Sequence, residues 1–460
     1  MRTERDLLGE RRLEDDTYYG IHTARARENF PLSGQRLHPE LVKALSVVKQ
    51  AAALANRDAG LLSREKADAI VQACTEVAAG GLAEQFVTDA LQGGAGTSAN
   101  MNANEVIANR AIELLGGKKG DYTRVHPIDD VNRSQSTNDV FPTAVRVAAI
   151  RLLKPVSQGF ADLQTALQEK EEAFSDVLKV GRTELQDAVP ITFGQECGAW
   201  AQAVARDRWR LYKAEERLRQ VNLGGTAVGT GLNAPRAYVF AAAEHLRELT
   251  GLGLARAEDP IDPTQNCDVF VEVSGLLKAA AVNLAKIAGD LRLLSSGPRA
   301  GFGEIRLPAM QAGSSIMPGK VNPVIPEAVT QAAYQIMADD LAVTLAAQAG
   351  NLELNAFLPL IAKNLLEMLD LMRQALAIFT EKCVAGIEPD RARCAELAEQ
   401  SPSLAAALID HIGYDAASKL AKDCLHTGKT VRQALLEDGR FTPEEIDRLL
   451  DPTAMTSRRG

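Results

Sequence analysis

The sequence predicts an all-α protein built on a long helix bundle. Three observations carry this. Aromatic residues make up only 5% of the 460-residue chain, and Ala and Leu fill most apolar positions. Small and unbranched residues suit close helix contacts and helix propagation better than a sheet. Between about residues 140 and 390, apolar residues recur every three or four positions, as in Val273, Leu276, Leu277, Ala280, Leu284, Ile287, Leu291 and Leu294. That spacing marks one stripe of a helix. No sustained alternation of apolar and polar residues marks a strand. A chain this long exceeds one ordinary core, so two or three domains are expected.

Residues 1–35 are rich in charge and turns, with Tyr18, Tyr19 and Gly20 in the middle. Residues 39–83 read as two helices: Leu41, Ala44, Leu45, Val48 and Ala51 share one face, and Ala67, Ile70, Val71, Cys74 and Val77 share another. A Gly/Ser/Asn stretch, 93–100, runs into a helix that includes Met101–Ala108, and a polar loop from His126 to Asn138 leads into the next. Segments 143–175, 190–221 and 326–349 carry the long striped pattern expected of a bundle. Ala328, Ala332, Ala333, Ala338, Ala342, Ala346 and Ala347 occupy more than one side of their helix, which predicts packing against other subunits as well as within the chain. The last part, 391–460, reads as shorter, more charged helices, with Thr442-Pro443-Glu444-Glu445 as a capping-box start. The expected divisions are an N-terminal helical domain over 1–138, a central long-helix bundle over 139–390 and a small C-terminal helical domain over 391–460.

The net charge is −9 and no basic stripe interrupts it, which argues against nucleic-acid binding. The six cysteines show no CxxC spacing and read as reduced, mostly buried thiols. The first residues carry charges of both signs and no apolar run, so no signal peptide is expected. No membrane span is expected either, and the cytoplasm is the default location.

Four segments put small hydrogen-bonding residues beside glycine or at a helix start: Gly96-Thr97-Ser98, Ser134 to Asp139, Gly181 to Asp187, and Gly313 to Pro323. Hydroxyls and amides ahead of a helix, with free backbone N–H groups nearby, suit a carboxylate, although such residues are most often plain caps. The last segment is harder to dismiss. It holds Gly313, Ser314, Ser315, a Met-Pro-Gly turn, Lys320 and Asn322-Pro323. A serine is a poor base unless its alkoxide is stabilised, which Lys320 and loop N–H groups could do. No histidine lies in these segments, and neither a GxSxG elbow nor a GxxxxGK[ST] loop occurs.

The Gly313–Pro323 loop resembles the signature of the aspartase/fumarase superfamily. Gly93 to Val106 resembles its first block and Asp130 to Asp139 its second, and the likeness runs from about residue 4 to about 450. Arg5-Asp6-Leu7-Leu8-Gly9, Tyr18 to Thr23, Asp290 to Gly301 and Val324 to Glu327 are similar to the aspartase branch; His126-Pro127-Ile128-Asp129-Asp130 is closer to class II fumarases. The resemblance implies three mostly helical domains and a homotetramer on a central bundle, with each active site shared by three subunits. It implies no required cofactor, though a divalent metal activates some relatives.

By the same resemblance, the reaction is a reversible anti elimination of ammonia from L-aspartate to give fumarate. Ser314 removes the Cβ proton and an aci-carboxylate forms. Thr97, Ser136, Thr137 and Ser315 look like its donors, and fixed dipoles aimed at developing charge are a strong catalytic device. Thr183, Lys320 and Asn322 resemble the clamp on the α-carboxylate. Asn138, with Thr97, would hold the leaving amine. Glu184 departs from the pattern, since relatives carry His or Gln there, and Glu327 matches a supporting glutamate. Two carboxylates about 4 Å apart at an effective dielectric near 20 would repel by roughly 4 kcal/mol, so close approach would need a shared proton or a cation. Glu184 bonds the aspartate ammonium as Gln would, selects an N-substituted or second-amine-bearing analogue, or bridges to Glu327 through a metal ion. Two other readings are a class II fumarate hydratase, disfavoured by the missing histidine at 184, and a non-enzymatic protein on a lyase scaffold, disfavoured by the presence of Ser314, Lys320 and Asn322.

Overall fold

The structure is a computed structural model and describes residues 1–457. The chain divides into two compact units, one of residues 1–158, 209–281 and 334–373, the other of 159–208, 282–333 and 374 onward.

The first unit opens with an antiparallel pair, β1 (Arg2–Asp6) and β2 (Gly9–Leu13), followed by α1 (Ile21–Asn29), α2 (Pro39–Asp58), α3 (Arg64–Ala78) and α4 (Thr97–Leu114). Helix α2 starts where Pro39 presets the first turn and the His38 ring accepts the Glu40 N–H at 3.2 Å. Its predicted face, Leu41, Ala44, Leu45, Val48 and Ala51, is buried, and α2 packs on α3. Helix α4 is buried nearly all round and carries Asn100, Asn102, Asn104, Glu105 and Asn109 inside. Buried polar groups must find partners. Glu105 takes the N–H groups of Gly20, His22 and Thr23, and so caps α1 from another element. Burial pushes its carboxyl up to about 7.

Five long helices follow: α5 (Thr137–Ala173), α6 (Phe193–Leu218), and, after α7 (Arg236–Thr250), α8 (Asp268–Leu294), α9 (Val324–Gln348) and α10 (Leu358–Lys382). Four of them are the helices that the stripes predict, and α10 lies within the broader helical region expected from about 140 to 390. Helix α5 starts six residues before the expected 143, and runs through Pro142 and Pro155. A proline removes one N–H and crowds the preceding turn, which is why the sequence pattern suggests a boundary there. On α9, Ala328, Tyr334, Ala338, Leu341 and Leu345 face out and are exposed, while Val329, Ala333, Ile336 and Val343 face in.

In the second unit, β3 (Leu178–Thr183) and β4 (Gln186–Thr192) form an antiparallel hairpin that the sequence did not reveal. It carries charges at Lys179, Arg182 and Asp187, and Gly181 and Pro190 interrupt any alternation. Helices α11 (Arg391–Gln400), α12 (Tyr414–Thr427), α13 (Val431–Asp438) and α14 (Pro443–Leu449) follow, α12 to α14 contributing Cys424, Val431, Leu435 and Ile446 to a small core of their own. Thr442 and Glu445 form the expected capping box. All six cysteines are buried and free. Among the described residues, no helix is long and apolar enough to cross a membrane.

Candidate active site

The predicted residues fall into two groups. Thr97, Ser136, Thr137 and Asn138 belong to the first unit. Thr183, Glu184, Ser314, Ser315, Lys320, Asn322 and Glu327 belong to the second.

In the first unit two helix starts are tied together. Thr97 opens α4 and Thr137 opens α5, and the Asn100 side-chain amide donates to Thr137 Oγ1 at 3.0 Å. Each start leaves backbone N–H groups without helical partners and the positive end of a helix dipole. Thr97 Oγ1 donates to Gly94 O at 2.6 Å, and Ser136 Oγ accepts the Asn138 N–H at 3.2 Å. Asn138 donates its amide to Ala227 O at 2.7 Å, which orients the side-chain oxygen as the remaining acceptor.

A buried network holds these groups from beneath. Lys49 Nζ donates to Asn132 Oδ1 at 2.8 Å and to Gln135 Oε1 at 2.9 Å. Asn132 Oδ1 also receives Asn100 and Asn104, each at 3.2 Å. Asp139 accepts the Ser136 N–H on one oxygen and the Gly224 and Thr226 N–H groups on the other, all at 3.0 Å. Burial lowers the Lys49 ammonium to about 7 and raises the Asp139 carboxyl to about 6. Upstream, His126 Nδ1 accepts the N–H groups of Ile128 and Asp129 across the single π-helical turn Pro127–Val131. Above the network lies a cavity of about 380 Å³ lined by Asn132, Ser134, Gln135, Ser136, Thr137, Thr226, Ala227, Leu232 and Asn233. Its size and its mixture of polar side chains with apolar surface suit a small ligand.

In the second unit, Ser314 lies in a hydrogen-bonded loop. Its N–H donates to Lys320 O at 3.0 Å, and the Lys320 N–H donates to Met317 O at 3.2 Å. Ser314 Oγ accepts the N–H groups of Ile316 at 3.3 Å and Met317 at 3.2 Å. Gly313 makes this turn possible: its φ is +99°, and a Cβ there would lie 2.2 Å from Lys320 O. Ser315, Ile316, Met317 and Lys320 are exposed, whereas Ser314 and Asn322 are half-buried. Glu327, in the first turn of α9, lies 3.8 Å from Arg292. Glu184 and Leu185 form the two-residue tip of the β3–β4 hairpin, with φ of +54° and +62°. Thr183 and Glu184 are exposed.

Residues 9–338 match the lyase family, and residues 404–457 match the fumarase C C-terminus. The chain belongs to the lyase family. The lyase is 48% identical to the aspartate ammonia-lyase of Bacillus subtilis over 99% of this chain and 96% of that one. It is also similar to the crystal structure of a fumarate lyase:delta crystallin from Brucella melitensis bound to cobalt, with a TM-score of 0.96 and 50% identity over 99% of this chain and all of that one. A recombinant class II fumarase from Schistosoma mansoni matches with a TM-score of 0.96 and 34% identity over the whole of both chains.

Sequence reasoning singled out Asn132, Gln135 and Asp139 as parts of polar stretches of this lyase, but not Lys49 beneath them. Lys49 sits in an apolar helix, and its partners Asn132 and Gln135 lie 83 and 86 residues away. The local sign was a cation within the mostly apolar run Leu45–Ala53, where Ser46 and Gln50 are the other polar residues.

Proposed function

We propose that this lyase eliminates ammonia from L-aspartate, reversibly and anti, to give fumarate, with Ser314 as the base. The carrying observation is the Ser314 hydroxyl oxygen beside the N–H groups of Ile316 and Met317. Two N–H dipoles on one oxygen favour its anionic form. The alkoxide takes the Cβ proton, and the electron pair of that C–H bond moves into the β-carboxylate as the aci-carboxylate. When that charge collapses, the Cα–N bond breaks, ammonia leaves and the double bond of fumarate forms. Thr97, Ser136, Thr137 and Ser315 donate to the charged carboxylate, Thr183, Lys320 and Asn322 hold the other carboxylate, and Asn138 accepts from the ammonium. The helix starts at Thr97 and Thr137 support the first set.

The active site draws on three subunits of a homotetramer, a reading that the exposed apolar stripe of α9 supports. The three-domain division at 138 and 390 and a cytoplasmic location belong to the same reading. Among the described residues, no three His, Cys, Asp or Glu side chains stand together as a metal site. An activating divalent metal would therefore be held by fewer groups of one chain, or by groups of several subunits, and no step of this mechanism runs through it.

The test follows the ultraviolet absorbance of the conjugated diacid. Aspartate should yield fumarate and ammonia, and fumarate should be consumed with ammonia but not with water alone. Conversion of fumarate to malate without ammonia would transfer the reading to a hydratase. An unchanged phenotype in Ser314→Ala, despite lost fumarate formation, would favour a non-enzymatic role. A second reading rests on Glu184, an exposed carboxylate at the hairpin tip: the accepted amine is larger or carries a second positive charge. Amines offered with fumarate and read by mass test it, and equal behaviour of Glu184→Gln with every amine would end it.

A further inference from the structure

Immediately before Thr183 and the tip residue Glu184, the hairpin is held by a buried ionic cluster. Glu304 is fully buried, and its Oε2 lies 2.8 Å from Arg182 Nη1 and 3.6 Å from Lys179 Nζ. Its Oε1 is buried without a hydrogen-bond partner. Lys179, itself buried, reaches Glu196 Oε2 at 3.3 Å, and the Arg182 guanidinium lies 4.2 Å from the Phe302 ring centre. Glu304 is in turn fixed by its backbone, donating to Leu294 O at 3.0 Å and accepting the Asp390 N–H at 2.8 Å.

Lys179 and Arg182 are three apart, so a regular strand would send them to opposite faces. The pairing register slips between Val180 and Arg182, leaving Gly181 opposite both Ala188 and Val189. Such a bulge sharpens the local twist, which lets both cations converge on one carboxylate. Only glycine fits there, because a Cβ on Gly181 would lie 2.5 Å from Val189 O.

We propose that Glu304 is a positioning residue of the active site: by drawing Lys179 and Arg182 into the interior, it fixes the angle at which Thr183 is presented to substrate. A carboxylate kept away from water against two cations is a strong anchor whose loss takes the carboxylate from Arg182 and leaves Lys179 with Glu196 alone. The inference rests on the reading that Thr183 holds a substrate carboxylate.

The test is a double-mutant cycle on the full-length enzyme with Glu304→Gln, Thr183→Ala and the double variant, read by kcat and KM for aspartate. Glu304→Gln should raise KM by on the order of tenfold to a hundredfold, with a smaller change in kcat, because the lost contact is made in ground and transition states alike. Its effect should vanish in the Thr183→Ala background. Full additivity, or an unchanged KM in Glu304→Gln, overturns the proposal. Should Glu304→Gln fail to fold, Arg182→Lys enters the same cycle with the same expectation. A Thr183→Ala enzyme with normal KM removes the underlying reading as well, whereas a raised KM with additive effects removes the positioning role alone.

Discussion

Lys49 Nζ lies 2.8 Å from Asn132 Oδ1, and through that contact a cation sunk in α2 holds the loop that starts α5. Gln135 receives a second hydrogen bond from the same ammonium. Lys49→Met keeps the length of the side chain and removes both donors. Asn132 and Gln135 then lose a partner, and Ser136 and Thr137 lose their fixed position. We expect kcat/KM for aspartate to fall by on the order of tenfold to a hundredfold. Unfolding stability should change little or rise at neutral pH, because the buried charge is removed as well. Steady-state kinetics beside urea unfolding checks both, and unchanged kinetics would show that the network does not support the site.

The same lysine predicts a pH dependence. Burial lowers it from 10.5 to about 7, against the opposing pull of Asp139. Below pH 7 the folded protein must hold a buried ammonium, and the penalty is complete. Between pH 7 and 10.5 the unfolded chain binds a proton that the folded one does not, so this penalty shrinks as pH rises. Relative to Lys49→Met, the native protein should gain stability over that interval, by at most about 1.4 kcal/mol per pH unit. Unfolding both proteins at several values from pH 7 to 10 measures it, and a constant difference would contradict it.

Gly313→Ala tests the serine loop's backbone. A methyl group there would meet Lys320 O, the acceptor of the Ser314 N–H, at a φ that side chains rarely adopt. We expect a loss of at least about tenfold in kcat, with the thermal unfolding midpoint nearly unchanged because the loop is exposed. Full activity in this variant would show that the turn's geometry is not needed.

How much of this was legible in the sequence follows from period and distance. The long helices were, because Val273 to Leu294 repeats at the helical period over many turns. The β3–β4 hairpin was not, because its six- and seven-residue strands carry charges and a bulge in place of alternation. The polar loops around Thr97, Ser136 and Ser314 stood out by composition. Lys49 and Glu304 did not, since each acts through partners far along the chain: Glu304 and Arg182 are 122 residues apart. Local sequence exposes polar groups clustered at loops and helix starts, and tertiary packing chooses the ones that hold them.

The most direct measurement compares the native enzyme with Ser314→Ala, following fumarate formed from aspartate. The account predicts fumarate and ammonia in equal amounts from the native enzyme, and a rate lower in the variant by on the order of a hundredfold to ten-thousandfold, the usual worth of a positioned base. A Ser314→Ala enzyme that forms fumarate at the native rate would contradict it.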